Sequence, residues 1–504
     1  MLLKNIALFF IGFGFSSTAC AQLDSTAIRY AQEINEKDAR KHLTILASDE
    51  FEGRDTGKPG GRKAAQYIAD EFKKLNLLAP VNNSYFQPVD LIETGFGVSN
   101  FNIDGQSYPL GDGYYITGSG EEKSVNSNNV VFIGYGISTE NYDDLQGIDI
   151  EGKVVLMINE SRTSANQQRL KDIKAKNPML ILAVSSEVDQ FLERYGKSLD
   201  KSRLMLKDEY KASPYTIPVA HLSPAFANSF LKKSGTSLEK LKELIRTNGK
   251  PATQVLKVNV SATFGTYTKP VESPNVLGYL EGTDLKDELI VISAHYDHVG
   301  VENGEIFNGA DDDGSGTTGV LEMARAFTKS KRDGHGPRRS ILFLAVTAEE
   351  KGLLGSDYYS RYPVFPLKNT VSNLNIDMIG RIDPPHESNP NYIYLIGSDK
   401  LSSELHAISE KVNSLYTKLS LDYKYNAPDD PERIYYRSDH YNFAKHGIPV
   451  IFYFNGVHAD YHKPSDTVDK INFDLLVKRT RLVFHTAWEI ANRNKRLVVD
   501  VNNK

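Results

Sequence analysis

The sequence predicts an α/β protein, a doubly wound mixed sheet flanked by helices and interrupted by an inserted β-rich module. Three observations predict it. From residue 273 onward, apolar runs of strand length alternate with helical patterns. Residues 98–264 instead carry short strand-like runs separated by turns. Histidines and acids with metal-ligand chemistry follow the apolar runs of the last part, the place where an open α/β sheet binds its ligands. A chain of 504 residues has room for two or three domains.

Residues 1–21 read as an export signal, with Lys4 as the positive start, an apolar stretch from Ile6 to Phe15, and small residues leading to Ala19-Cys20-Ala21. Cleavage after Ala21 removes Cys20, the single cysteine. Cleavage after Ala19 is the alternative and makes Cys20 a lipid-anchored N-terminus. The expected location is periplasmic or extracellular, or envelope-anchored in the second case, and disulfides have no part in stability. No later segment is apolar enough for a membrane helix. The formal net charge is only −5 and no basic stripe is present, which excludes a nucleic-acid partner.

Residues 22–97 form the expected N-terminal part of the main domain. They are helical to Leu78, with a polar loop at Glu52–Gly57 and a helix from Gly61 to Lys74. The loop has no preceding strand and no Gly-Lys-Ser/Thr, so it is not a phosphate cradle. The 98–264 module carries strand runs at Asn129–Ser138, Gly152–Ile158, Met179–Val184 and Ile217–Ala220, and a surface helix at Lys232–Arg246. It has no cluster of histidines and acids at ligand spacing and is expected to shape the cleft rather than bind metal. In residues 265–504 the strands are Glu288–Ala294, Ser340–Val346, Val371–Ile376 and Pro449–Phe454, with helices at Gly316–Ser330, Leu401–Tyr416 and Phe473–Arg493.

His295 ends the first of these strands, and Asp297 stands two positions on, where its carboxylate can accept the other ring N–H. His298 has similar spacing and is read as background. Asp311, Asp312 and Asp313 precede Gly-Ser-Gly and a helix. A cap needs one acid, and one of the three placed between two cations can bridge them. Glu349 and Glu350 follow a buried strand, and adjacent carboxylates there point differently, so that one can bind metal while the other faces its water. Asp377 ends another apolar strand, where burial calls for a metal or for an arginine such as Arg381. His462 lies in a loop beside Tyr461, with Asp466 in a helix-cap position. Arg437 can reach a substrate carboxylate or pair with Asp439.

These motifs, in this order, resemble the co-catalytic dinuclear zinc exopeptidases, the family of secreted bacterial aminopeptidases, glutamate carboxypeptidase and the inactive transferrin receptor. The resemblance implies a zinc-exopeptidase-like fold with an inserted protease-associated domain at 98–264. It makes His295 and Asp377 ligands of one zinc, Glu350 and His462 ligands of the other, and Asp312 the bridge, followed by a cis peptide bond. Glu349 becomes the general base, Asp297 the partner of His295, and Tyr461 an oxyanion donor. The implied activity is removal of N-terminal residues from peptides with two Zn2+ per chain, other divalent transition metals being compatible with the same ligands. Carboxypeptidase, dipeptidase, zinc cyclase and non-catalytic receptor readings are the alternatives. Oligomeric state is left open.

Overall fold

Apolar runs buried on both faces build the centre of the main sheet. The computed structural model describes residues 23–196, 199 and 202–501. The expected signal segment and Cys20 lie outside these residues. The chain divides into two compact units, one of residues 1–87 with 274–504 and the other of residues 88–273.

The strands of the larger unit are β1 (Phe86–Pro88), β2 (Pro274–Leu280), β3 (Leu285–His295), β4 (Arg339–Val346), β5 (Thr370–Ile376), β6 (Tyr392–Ile396), β7 (Ser420–Asp422) and β8 (Val450–Phe454). They form one sheet in the order β1-β2-β4-β3-β5-β8-β6-β7. The four central strands β4, β3, β5 and β8 are mutually parallel, whereas β2 pairs antiparallel with β4 and β6 antiparallel with β8. The sheet is therefore mixed at its flanks and parallel where the candidate ligands sit.

β4, β5 and β8 are buried along their whole length and β3 from Leu289 to His295, and their side chains alternate between two cores. Ile290 and Ile292 of β3 face a core shared with Phe327 and Trp488, while Leu289 and Val291 face another with Tyr359 and Phe443. Phe327 lies on the helix Gly316–Arg332 and Trp488 on the helix Phe473–Asn492. The N-terminal helices Ser25–Ala31, Glu36–Leu46 and Pro59–Lys74 contribute Tyr30, Leu43 and Phe72 to the first core.

The smaller unit begins and ends with a long antiparallel pair, Leu91–Ile103 and Val260–Val271, in register from Leu91↔Val271 to Ile103↔Val260. This pairing carries the unit to residues 88–273, beyond the expected 98–264. Its second sheet has parallel strands Val130–Phe132, Val154–Ile158, Leu180–Val184 and Thr216–Leu222. The expected helix at Lys232–Arg246 is not one element. A short turn ends at Gly235, whose φ of +77° breaks it, and a new helix, Leu238–Asn248, is capped by Ser237.

Candidate metal centre

The carboxyl ends of the central strands bring the ligand-type residues together. His295 is the last residue of β3, Glu349 and Glu350 follow β4, Asp377 follows β5, and His462 lies in the loop after β8. Asp312 precedes the helix Gly316–Arg332. Three of these segments turn on non-glycine residues in the left-handed region, Ala348 (φ 56°), Met378 (φ 60°) and His462 (φ 51°). Such backbone is kept where the surroundings hold it, and it concentrates at functional sites.

Asp312 lies between two histidines. Its Oδ1 is 3.2 Å from His295 Nε2 and its Oδ2 is 3.0 Å from His462 Nε2. Around His295 Nε2 stand Asp377 Oδ1 at 3.7 Å and Glu349 Oε2 at 3.9 Å, and Glu350 Oε2 is 3.2 Å from His462 Nε2. The Asp312–Asp313 peptide bond is cis. His462 is about one-third exposed while His295 is buried, so the cluster runs from the interior toward solvent.

The flanking aspartates have different tasks. Asp311 Oδ1 accepts the Gly380 N–H at 2.6 Å. Asp313 accepts the N–H groups of His295 at 3.2 Å, Gly316 at 2.8 Å and Met378 at 3.1 Å. A Cβ on Gly316 would lie 2.4 Å from Asp313 Oδ1, so only glycine permits this approach.

Four expectations are corrected here. His295 Nδ1 bonds the backbone carbonyl of Asp297 at 3.0 Å, not its carboxylate, which leaves Nε2 for a ligand. The Asp297 carboxylate instead accepts the Glu349 N–H at 3.1 Å and the Thr56 hydroxyl at 3.0 Å. Asp466 caps no helix, since its Oδ2 accepts the N–H groups of Asp311 at 2.9 Å and Asp312 at 3.2 Å. His298 is not background, because it is fully buried with Nδ1 2.8 Å from Glu350 Oε1. Arg437 is not paired with Asp439, and its side chain makes no hydrogen bond or ion pair among the described residues. Arg381, by contrast, pairs with Asp460 at 2.7 Å and stands 3.7 Å from Asp466, so Asp377 is left to another partner, the Ser438 hydroxyl at 2.7 Å.

Arg54 is the residue that sequence reasoning missed most completely. It lies buried in the polar loop Glu52–Gly57 and donates to the carbonyls of Tyr296, Leu46, Asn308, Gly309 and Asp312. Its arginine-between-glycines context carries no ligand spacing, and its partners are backbone atoms that no motif encodes.

Burial opposes charge on His295, but the surrounding Glu349, Asp377 and Asp312 outweigh it and hold its pKa well above the usual imidazole value. Burial and Asp312 likewise oppose charge on Glu350, and the facing His298 and His462 overcome both, holding it at about 2. Glu349 goes the other way. Burial, reinforced by Glu350, Asp377 and Asp439 and opposed by His295, raises it well above the usual carboxylate range. Burial and the nearby carboxylates raise the Tyr461 phenol, which keeps its proton.

The donor set fits divalent transition metals. His295, Glu349 and Asp377 form one group whose ligand atoms lie within 4.8 Å of one another, and His298, Asp312 and Glu350 form another. Buried Asp312 Oδ2, Glu350 Oε1 and both His298 ring nitrogens lack hydrogen bonds, although His298 Nδ1 and Glu350 Oε1 approach closely. Uncompensated lone pairs at such density call for a cation. A small pocket opens on Asp312, Glu349 and Asp377, walled by Met378, Ile434, Phe452, Phe454, Val457, Tyr461 and Arg437. A larger cleft, on Tyr115, Arg162, Phe191 and His221, contains none of the candidate ligands.

Residues 275–487 match Peptidase family M28, which bears out the peptidase part of the resemblance read from the motifs and does not extend to the 98–264 insert. The chain is similar to Aminopeptidase YwaD of Bacillus subtilis, 28% identical over 232 residues, with 44% of this chain and 46% of the relative covered. It is similar also to Aminopeptidase Y of Saccharomyces cerevisiae, 28% identical over 282 residues, with 51% and 48% covered. The chain spans about half the length of these curated relatives. Among solved structures, an aminopeptidase from Aneurinibacillus sp. strain AM-1 aligns over 95% of this chain and 98% of its own, with 18% identity and a TM-score of 0.49. A zinc aminopeptidase from Bacillus subtilis aligns over 93% and 99%, with 20% identity and a TM-score of 0.47.

Proposed function

We propose that this chain, with its Peptidase family M28 region at residues 275–487, is an exported zinc aminopeptidase that removes N-terminal residues from peptides. One observation carries the reading. Asp312 sits within 3.2 Å of two histidines from different strand ends, with Asp377, Glu349 and Glu350 beside them. His295 and Asp377 would hold one zinc and Glu350 and His462 the other, with Asp312 placed beside both histidines as a ligand open to either. Zinc held there would supply Lewis-acid polarisation of the peptide carbonyl and a lowered pKa for water.

The rest is the work of the chain's own groups. Glu349 takes the proton from water as its oxygen bonds to the carbonyl carbon. The Tyr461 O–H donates to the oxygen that gains negative charge. Glu349 then passes the proton to the departing amine as the C–N bond breaks. Thr56 and Asp297 hold the Glu349 backbone in place through the Asp297 carboxylate. His298 abuts the Glu350 oxygen that does not face His462, which orients that ligand.

Export rests on the signal-like residues 1–21, with lipid anchoring at Cys20 as the alternative, and no described helix is long and apolar enough to cross a membrane. The insert is read as protease-associated-like. The deciding assay compares free-amine aminoacyl anilides with N-acetylated dipeptides on zinc-loaded protein. Cleavage of the anilides is expected. Faster cleavage of the acetylated, free-carboxylate substrates would assign a carboxypeptidase, and no turnover of either would favour the receptor-like alternative.

A further inference from the structure

We propose that Arg437 recognises a carboxylate on the substrate, so that the pocket beside Glu349 selects peptides with an acidic first side chain or short peptides whose free C-terminus reaches the same guanidinium. This rests on the aminopeptidase reading and names its substrate class.

The segment carrying Arg437 has three different fates in three residues. Arg437 lines the pocket and is exposed, the Ser438 hydroxyl donates to Asp377 Oδ2 at 2.7 Å, and Asp439 is fully buried. The acid nearest in sequence is therefore not its partner. Other arginines of this unit are engaged: Arg381 with Asp460, Arg339 with Glu288, and Arg54 and Arg479 with backbone carbonyls. Among the described residues the guanidinium of Arg437 has no such partner, although it borders a site rich in carboxylates.

Arg437 is also the one cation on a wall otherwise apolar or acidic, with Met378, Ile434, Phe452 and Phe454 beside it. A ligand satisfying both features has a methylene stem for the apolar wall and a carboxylate at its end. A planar guanidinium with free donors binds a carboxylate through two parallel hydrogen bonds. A first residue of lysine or arginine would meet like charge there and be selected against.

The test uses the full chain loaded with zinc, as wild type, Arg437→Gln and Arg437→Lys. The kcat/KM ratios are measured for glutamyl over leucyl p-nitroanilide and for Ala-Ala over Ala-Ala-amide. One ratio is expected to fall about tenfold in Arg437→Gln, the loss of one charge-assisted pair, with partial recovery in Arg437→Lys. A fall in the first ratio places the carboxylate on the side chain, and a fall in the second places it at the C-terminus. If neither ratio falls by more than about threefold, the proposal is overturned. Calorimetric titration of the metal-free wild type and Arg437→Gln with glutamate, leucine, Ala-Ala and Ala-Ala-amide separates the two readings. Should no substrate be turned over, the aminopeptidase reading fails. Weaker binding of glutamate or Ala-Ala to Arg437→Gln then still supports carboxylate recognition, and equal binding overturns it.

Discussion

Asp313 holds His295 by its backbone: Oδ2 of the aspartate accepts the His295 N–H at 3.2 Å, while Oδ1 accepts those of Gly316 and Met378. One buried carboxylate thus joins the end of β3, the start of the helix Gly316–Arg332 and the residue after Asp377. Three segments that carry or flank ligands are positioned by an acid that is not among the proposed ligands. Asp313→Ala leaves three buried donors unpaired, at about 1–3 kcal/mol for each group left without a partner. A large fall in thermal midpoint together with weakened zinc binding is expected. Unchanged zinc affinity in the folded variant would show that Asp313 supports the fold alone.

Glu349 and Glu350 are neighbours with opposite electrostatic settings, and they separate by function. Glu349→Gln is expected to retain zinc and lose turnover by about a hundredfold or more, the scale of a missing general base. Glu350→Gln is expected to lose one zinc as well. Elemental analysis beside steady-state rates decides it, and equal metal loss in both variants would reverse the roles. The same analysis of wild type is expected to give two zinc ions per chain.

Arg54 supports the loop behind Asp312 through five carbonyls. Arg54→Met keeps much of the volume and removes every donor. A loss of about 3–5 kcal/mol in urea unfolding is expected, comparable to breaking a buried charged network. A loss below about 1 kcal/mol, within the range of ordinary surface substitutions, would mean that water replaces the guanidinium without cost.

Glu322 supplies a pH dependence remote from the metal ligands. It is buried, accepts the Asn35 N–H at 3.0 Å and pairs with Arg325 at 2.7 Å, with Asp38 nearby and His42 Nε2 at 3.9 Å. Burial raises its pKa to about 7 from an ordinary 4.5, and Arg325 only partly opposes this. The folded state therefore binds the proton more tightly than the unfolded chain. That contribution is complete below pH 4.5 and is lost as pH rises through about 7, amounting to roughly 3 kcal/mol. His42, lowered to about 4 by burial, works in the opposite sense between about 4 and 6.5. Unfolding of wild type and Glu322→Gln at pH 5, 6, 7 and 8 isolates the Glu322 part as the difference between the curves. Glu322→Gln should lack the decline between pH 5 and 7, and parallel curves would refute the assignment.

The central strands were legible in the sequence because a parallel strand buried on both faces is a continuous apolar run, as in Ile341–Val346. The flanking strands Pro274–Leu280 and Tyr392–Ile396 were not assigned from that pattern, although their residues are largely buried. Candidate ligands were legible for a related reason. An acid or histidine at the end of such a run, as at His295 or Asp377, stands out against its local surroundings.

What the sequence by itself determined is the alternation of elements and the residue types available at the strand ends. Only the tertiary structure decided how those residues divide the chemistry. It brought His298 onto Glu350. It also turned the Asp297 carboxylate to Glu349, buried Arg54 against five carbonyls and left Arg437 without an acid. Hydrophobic periodicity is a local property of the chain, readable over a few residues. The partner of a charged or polar group is instead set by which loops meet, and here those loops are up to 258 residues apart, as for Arg54 and Asp312. Burial makes each such meeting energetically decisive, and no local pattern records it.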